Sequence, residues 1–162
     1  MMNKIIGITG RKDVGKTHYA SLIIKLLVKK GLKVGSIKHA HHDFDIDKPG
    51  TDSFKHREAG SSQVIVSSSK RWAKIIENNN REEKSLNELI EEFKDIDIVV
   101  VEGFKKENHP KIVILGNGLE IINREINNVI AFVSDELDYN NIPVFKKNDT
   151  EGLVKFIINK IL

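Results

Sequence analysis

Apolar positions along the chain switch between two spacings, and the switches mark the elements. Asn3 to Thr9 is β-branched and almost continuously apolar, the pattern of a buried strand in a parallel sheet. From Thr17 to Lys30 the residues Leu22, Ile23, Leu26 and Leu27 form a helical stripe, closed by Lys29, Lys30 and Gly31 as a basic last turn and a stop. Leu32 to Ile37 returns to strand spacing, so this stretch predicts a right-handed βαβ unit. Asp52 to Ala59 predicts a short helix capped by Thr51 or Asp52, and Gln63–Ser67 and Trp72–Ile76 predict strands. Ser85-Leu86-Asn87-Glu88 is a capping box opening a helix to about Lys94. Ile96 to Val101 is the clearest strand. Lys111–Leu115, Asn128–Ser134 and Ile142–Phe145 follow as strands, with a turn at Gly116-Asn117-Gly118 and a closing amphipathic helix over Thr150–Leu162. The rhythm predicts one α/β domain over residues 1–162 with a mostly parallel central sheet.

One stretch has no period. Lys38 to Thr51 holds Pro49-Gly50 and is too long for a plain connector, which marks 38–60, loop and short helix together, as functional. Composition adds limits. The chain has 162 residues, 40% apolar and 30% charged, and resembles an ordinary globular protein with room for a real core. It has no cysteine, which removes disulfides and thiolate sites and fits a cytoplasmic setting. No apolar run approaches the ~20 residues that span a bilayer, and no signal peptide precedes the first strand. The net charge of +3 is unevenly spread: residues 1–60 carry 12 Lys/Arg against 6 Asp/Glu, and the remainder 14 against 17. A basic first third suggests an anionic partner, whether nucleic acid, membrane surface or phosphate ligand.

Gly10-Arg11-Lys12-Asp13-Val14-Gly15-Lys16-Thr17 fits the phosphate-loop pattern and lies between a predicted strand and a predicted helix. The glycines let successive N–H groups turn inward, Lys16 offers a cation to the β and γ phosphates, and Thr17 offers a hydroxyl to Mg2+. The helix that follows aims its positive end at the same anion. Such a site needs a second acid at a neighbouring strand end, and Glu102 follows Ile98-Val99-Val100-Val101. The expected architecture is therefore a three-layer phosphate-loop NTPase fold. Arg11 either reaches a phosphate or is solvated.

Four of the six histidines lie between 39 and 56. His39, His41 and His42 with Asp43 or Asp45 suit a Zn2+ or Ni2+ site, and equally a solvated loop that donates to a phosphate. No Asn-Lys-x-Asp motif is present. Asp149 of Asn148-Asp149 either accepts the guanine N1 and N2 protons or caps the last helix.

Lys38-His39-Ala40-His41-His42, Asp47-Lys48-Pro49-Gly50-Thr51-Asp52-Ser53, Ala59-Gly60, Lys70-Arg71-Trp72-Ala73, Val101-Glu102-Gly103-Phe104-Lys105 and Pro110-Lys111 together resemble the MobB family, the adaptor proteins of molybdopterin-guanine dinucleotide biosynthesis. The resemblance covers about residues 4–115. It implies a GTP-binding homodimer with weak GTPase activity that assists the MobA guanylyltransferase, with molybdopterin or its guanine dinucleotide as a further partner. By position it implies that Gly10, Gly15, Lys16 and Thr17 hold the phosphates and Mg2+, that Arg11, Lys12, Asp13 and Val14 line the same loop, and that Glu102 is the strand-end acid. Lys38, His39, His42 and Asp52 would face the nucleotide or cofactor. Many members carry an Arg after the Asp-Ser helix start; Lys55-His56-Arg57 stands there, and no single residue takes that role.

Two rivals follow from the residues. A small phosphate-loop kinase would need an arginine-rich lid, and the five arginines are scattered. A metal-chaperone GTPase would use His39, His41 and His42. Nucleic-acid binding lacks a recognition motif or stacking aromatics, and a membrane partner lacks a spanning segment.

Overall fold

The computed structural model describes residues 4–40, 43–79, 82–116, 126–137, 139 and 141–162. The expected turn at Asn117-Gly118, together with His41 and His42, lies outside these residues. The chain divides into two compact units, Met1–His39 with Leu86–Leu162, and Ala40–Ser85.

The first unit is built on a six-stranded sheet in the order β2-β5-β1-β6-β7-β8, with every neighbouring pair parallel. Its strands are β1 (Lys4–Thr9), β2 (Val34–Lys38), β5 (Ile98–Glu102), β6 (Lys111–Ile114), β7 (Val129–Val133) and β8 (Val144–Phe145). Helices α1 (Lys16–Lys29) and α4 (Thr150–Ile161) cover one face through Ile23, Leu27, Leu153, Val154 and Ile157, which pack on Ile6, Ile8, Val100, Ile112 and Val133. Helix α3 (Leu86–Glu91) lies on the other face, where Leu86 and Ile90 join Val99 and Val101. This is the expected three-layer α/β arrangement. Burial on both faces explains why β5 reads as an unbroken apolar run.

Ends differ from the sequence reading for identifiable reasons. Helix α1 closes with a Schellman motif: Gly31, at φ +86°, donates to Val28 O and Leu32 N donates to Leu27 O. Leu32 and Lys33 are used by this turn, so β2 starts at Val34. Asp97 holds Lys33 N through its carboxylate at 2.7 Å, and β5 starts at Ile98. Helix α3 stops at Glu91, before the expected Lys94.

On the α3 face, Gly7 is required by space. A Cβ there would stand 2.4 Å from His109 Nε2 and 2.9 Å from Lys111 Cγ. His109 is buried, and both ring nitrogens lack a hydrogen-bond partner among the described residues. Burial, helped by the Lys111 charge, pushes its pKa down to about 4. Lys111 is fully buried and donates to the main-chain oxygens of Glu107, His109 and Asn127, tying down the loop between β5 and β6.

The second unit holds α2 (Asp52–Glu58) and an antiparallel hairpin of β3 (Gln63–Ser67) and β4 (Trp72–Ile76). Val64 is its one buried apolar side chain among the described residues. In place of a core it has Arg57. That guanidinium donates to Asp47 at 2.7 Å, Asp45 at 2.8 Å and Glu77 at 2.8 Å, and lies over the Phe54 ring. The carboxyl of Asp47 is held below its ordinary range by the Arg57 hydrogen bonds. Register places Ile65, Trp72 and Ile76 on one face of the hairpin, opposite the face of Val64, and all three are exposed. No described helix is long and apolar enough to cross a membrane.

Candidate functional site

The residues from Gly10 to Thr17 turn from the end of β1 into α1, as the pattern requires. Gly10 (φ +150°) has no room for a side chain, because a Cβ would meet Ile114 O at 2.4 Å. Gly15 (φ +90°) is the N-cap of α1 in the left-handed region that glycine occupies without strain. Asp13 takes φ +64°, a conformation that aspartate tolerates better than most residues. The turn leaves the first N–H groups of α1 directed outward, the general basis of an anion site. Lys16 Nζ donates to Arg11 O within the loop. Arg11, Lys12 and Asp13 are exposed and Val14 is half-buried.

Parallel pairing of β1 with β5 sets the strand-end acid beside this loop. Ile8 is in register with Glu102, and Thr17 Oγ1 donates to Glu102 Oε1 at 2.8 Å across 85 positions of sequence. The Glu102 side chain is only 13% exposed, so it is held and largely shielded. The same oxygen lies 3.8 Å from Lys38 Nζ at the end of β2. A hydroxyl and a carboxylate at that separation form a hard-oxygen pair suited to Mg2+, whose ~2.0–2.1 Å octahedral bonds bring adjacent ligands to about 3 Å.

The following residues are shaped to hold this end. His39 N donates to Glu102 O at 2.9 Å, and the His39 ring stacks on Phe104 with centroids 4.3 Å apart and planes 17° from parallel. Gly103 (φ +103°) lies under that stack, where a Cβ would sit 2.8 Å from His39 Cβ. Phe104 itself takes φ +47°, a strained value for a bulky residue and one that clusters at functional sites.

The structure thus brings Lys16, Thr17, Lys38, His39 and Glu102 together. It treats the other candidates differently. Asp52 belongs to the second unit, where it opens α2, is 92% exposed and pairs with Lys55 at 3.3 Å. His42 and His41 lie outside the described residues; within those described, no group of three or more His, Cys, Asp or Glu is placed to hold a metal. Asn148 is exposed in the turn after β8. Of the two readings of Asp149, the contacts match the cap: its Oδ1 accepts from Gly152 N at 2.9 Å. Sequence reading missed Arg57 as the hub of the second unit, since its partners stand 12 and 10 positions before it and 20 after. It also missed Phe104 as a site residue, although Gly103-Phe104 after a strand-end acid is a visible signal.

The likeness to known proteins is consistent along the whole chain. Residues 5–135 match the family model described as molybdopterin guanine dinucleotide synthesis protein B. The molybdopterin-guanine dinucleotide biosynthesis adapter protein of Escherichia coli is 36% identical over 162 residues, covering 97% of this chain and 93% of that protein. The adapter protein of Haemophilus influenzae is 42% identical over 112 residues, 68% of this chain and 62% of that one. Among solved structures, Bacillus subtilis MobB superposes with a TM-score of 0.81 at 25% identity, with 98% of each chain covered.

Proposed function

Because this chain belongs to the MobB family, a family of molybdopterin-guanine dinucleotide synthesis proteins, we propose that it is an adapter of that synthesis which acts by holding Mg2+-GTP. The observation that carries the reading is the Thr17–Glu102 contact at the foot of the phosphate loop. Two oxygens so held, beside a flexible ammonium and the start of a helix, suit a polyphosphate and its cation. In this reading Gly10 to Gly15 cradle the phosphates with main-chain N–H groups. Lys16 exchanges its bond to Arg11 O for a phosphate oxygen. Thr17 and Glu102 hold the metal, which neutralises phosphate charge. Lys38 and His39 add donors at the same end of the sheet.

Hydrolysis at this site is slow. The first unit, which carries the phosphate loop, holds no glutamine; the one glutamine of the chain, Gln63, belongs to β3 of the second unit. Slow turnover suits a carrier that passes guanine nucleotide to a MobA-type guanylyltransferase, with the molybdopterin phosphate as the second anion served by the basic first third. The exposed Ile65, Trp72 and Ile76 face supports association, which we assign to a homodimer.

Titration calorimetry with Mg2+-GTP tests the centre of this reading. Saturable binding is expected in the intact chain, with a loss on the order of 100-fold in Lys16→Ala, the scale of a charge-assisted contact. Absence of GTP binding, or binding indifferent to Lys16, overturns it. Stimulation of guanylyl transfer by a MobA enzyme, measured with and without the Lys16 substitution, tests the adapter role.

A further inference from the structure

The phosphate loop explains affinity for a triphosphate but not the choice of base. Its sequence candidate, Asp149, turns both carboxylate oxygens onto the first turn of α4: Oδ1 accepts from Gly152 N, and a Cβ on Gly152 would stand 2.4 Å from Oδ2 and 2.6 Å from Oδ1. Another carboxylate stands at the same edge of the sheet. Asp135 follows Ser134 at the C-terminal end of β7, and in a parallel sheet that is the edge at which β1 gives way to the phosphate loop. Ligands of open α/β sheets lie in the crevice outside these strand ends. Strand β7 is two places from β1, with β6 between, a lateral distance of roughly 10 Å. That is the scale on which a nucleoside extends from its phosphates to the far edge of its base.

The surroundings of Asp135 are constructed rather than loose. Its Oδ1 accepts from Lys147 N at 2.9 Å, and its main-chain oxygen accepts from Lys146 Nζ at 2.8 Å. Ser134 N donates to Phe145 O, and Ser134 Oγ accepts from Glu136 N and Leu137 N. These bonds fasten the turn after β8 to the turn after β7. Tyr19, three residues beyond Lys16 on α1, then donates its hydroxyl to Lys147 O at 3.1 Å and ties both turns to the phosphate-loop helix. Asp135 is near enough that its charge helps to raise the Tyr19 phenol above its ordinary value, behind burial as the larger cause. The carboxylate is exposed, and holding the turn occupies only Oδ1.

We propose that Asp135 is the residue that selects guanine, its carboxylate accepting the N1 and N2 protons of a base lodged against the turns after β7 and β8. This rests on the nucleotide reading above and adds the base to it. A carboxylate only accepts, so it matches the donor pair on guanine and repels the N1 lone pair of adenine. Its fixed frame matters as much as its charge: sites built to receive a particular hydrogen bond reject ligands that lack it.

The test uses the full chain and four nucleotides with Mg2+: the triphosphates of guanosine, inosine, xanthosine and adenosine. Inosine lacks the 2-amino group, so it should bind the unaltered protein on the order of 10-fold more weakly than GTP, and ATP more weakly still. Asp135→Asn keeps an oxygen for Lys147 N and offers one donor and one acceptor, the complement of xanthine. That variant should lose GTP on the order of 100-fold and gain xanthosine triphosphate. Asp149→Asn should leave base preference unchanged. Unchanged GTP preference in folded Asp135→Asn, or a switch in Asp149→Asn instead, overturns the assignment. So does equal binding of GTP and inosine triphosphate by the unaltered chain, which needs no variant to fold. If no triphosphate binds in a Lys16-dependent way, the nucleotide reading itself has failed, and the base assignment with it.

Discussion

The two units of this chain are stabilised in opposite ways. In Met1–His39 with Leu86–Leu162, a six-stranded parallel sheet has its middle buried on both faces, and the central residues Ile6, Ile8, Ile98, Val99 and Val101 are inaccessible to solvent. In Ala40–Ser85, Val64 alone is buried among the described apolar residues, while Phe44, Ile46, Ile65, Trp72 and Ile76 are exposed. There the fixed point is a guanidinium among three carboxylates. The first kind of stability is non-directional and grows with area removed from water. The second depends on one geometry and on ionic conditions. A nucleotide site that needs sub-ångström placement belongs on the first. The second keeps apolar groups outward, and in the reading proposed above that face meets a second copy of the chain.

The contrast can be broken most sharply from the core side. Ile23→Ala should destabilise the first unit by about 2–5 kcal/mol, because the side chain is fully buried between α1 and the sheet. Denaturant unfolding followed by far-ultraviolet circular dichroism measures it, and a cost below that range would mean a looser core than described. Acid comes next. His109 is neutral in the fold, with a pKa near 4, and the unfolded chain takes up its proton near 6.5. The unfolded state therefore binds more protons between these values, and stability falls as pH drops from about 6.5 to 4, by at most about 3 kcal/mol. Unfolding midpoints across that window should flatten in His109→Gln relative to the unaltered chain.

A smaller and more local effect is expected from Arg57→Ala. It should open residues 40–85 to protease on the order of 10-fold faster while leaving the unfolding midpoint of the first unit in place. Added salt should move the unaltered chain part of the way in the same direction. If both units lose stability together, they unfold as one and the contrast is wrong. Smallest of all, Trp72→Ser should change monomer stability by less than ~0.5 kcal/mol, since the ring is 69% exposed. Its readout is association, followed by sedimentation: a shift toward monomer is expected.

What could be seen in sequence follows the same division. The run Ile98-Val99-Val100-Val101 announces a central strand because burial on both faces leaves no polar position to confuse the period. The phosphate loop is legible because its glycines, lysine and threonine are consecutive. Glu102 is legible one step later only because the loop asks for an acid at a neighbouring strand end, and the fold sets its Oε1 against Thr17 Oγ1. Arg57 is not, because three carboxylates scattered from 45 to 77 meet it only through folding. Nor is the pairing of Gly7 with His109, where a missing side chain on one strand makes room for a ring 102 positions later. Asp149 falls between the two: just after a strand and just before a helix, its place in the sequence suits a base reader and a cap equally, and the fold shows the cap contact.

The centre of the sheet also bears on how the chain comes to exist. Strand β5 carries in Ile98–Val101 a run with the marks of a cross-β segment, short, β-branched and uncharged. Once folded it has no free side, since β1 and β2 occupy both of its hydrogen-bonding edges. Those partners were synthesised 94 and 64 residues earlier, with the whole of residues 40–85 in between. The first half of the sheet must therefore wait on the ribosome without its middle strand, and a long loop must close before the two meet. Self-association is a hazard of that interval, and it ends when β5 is inserted.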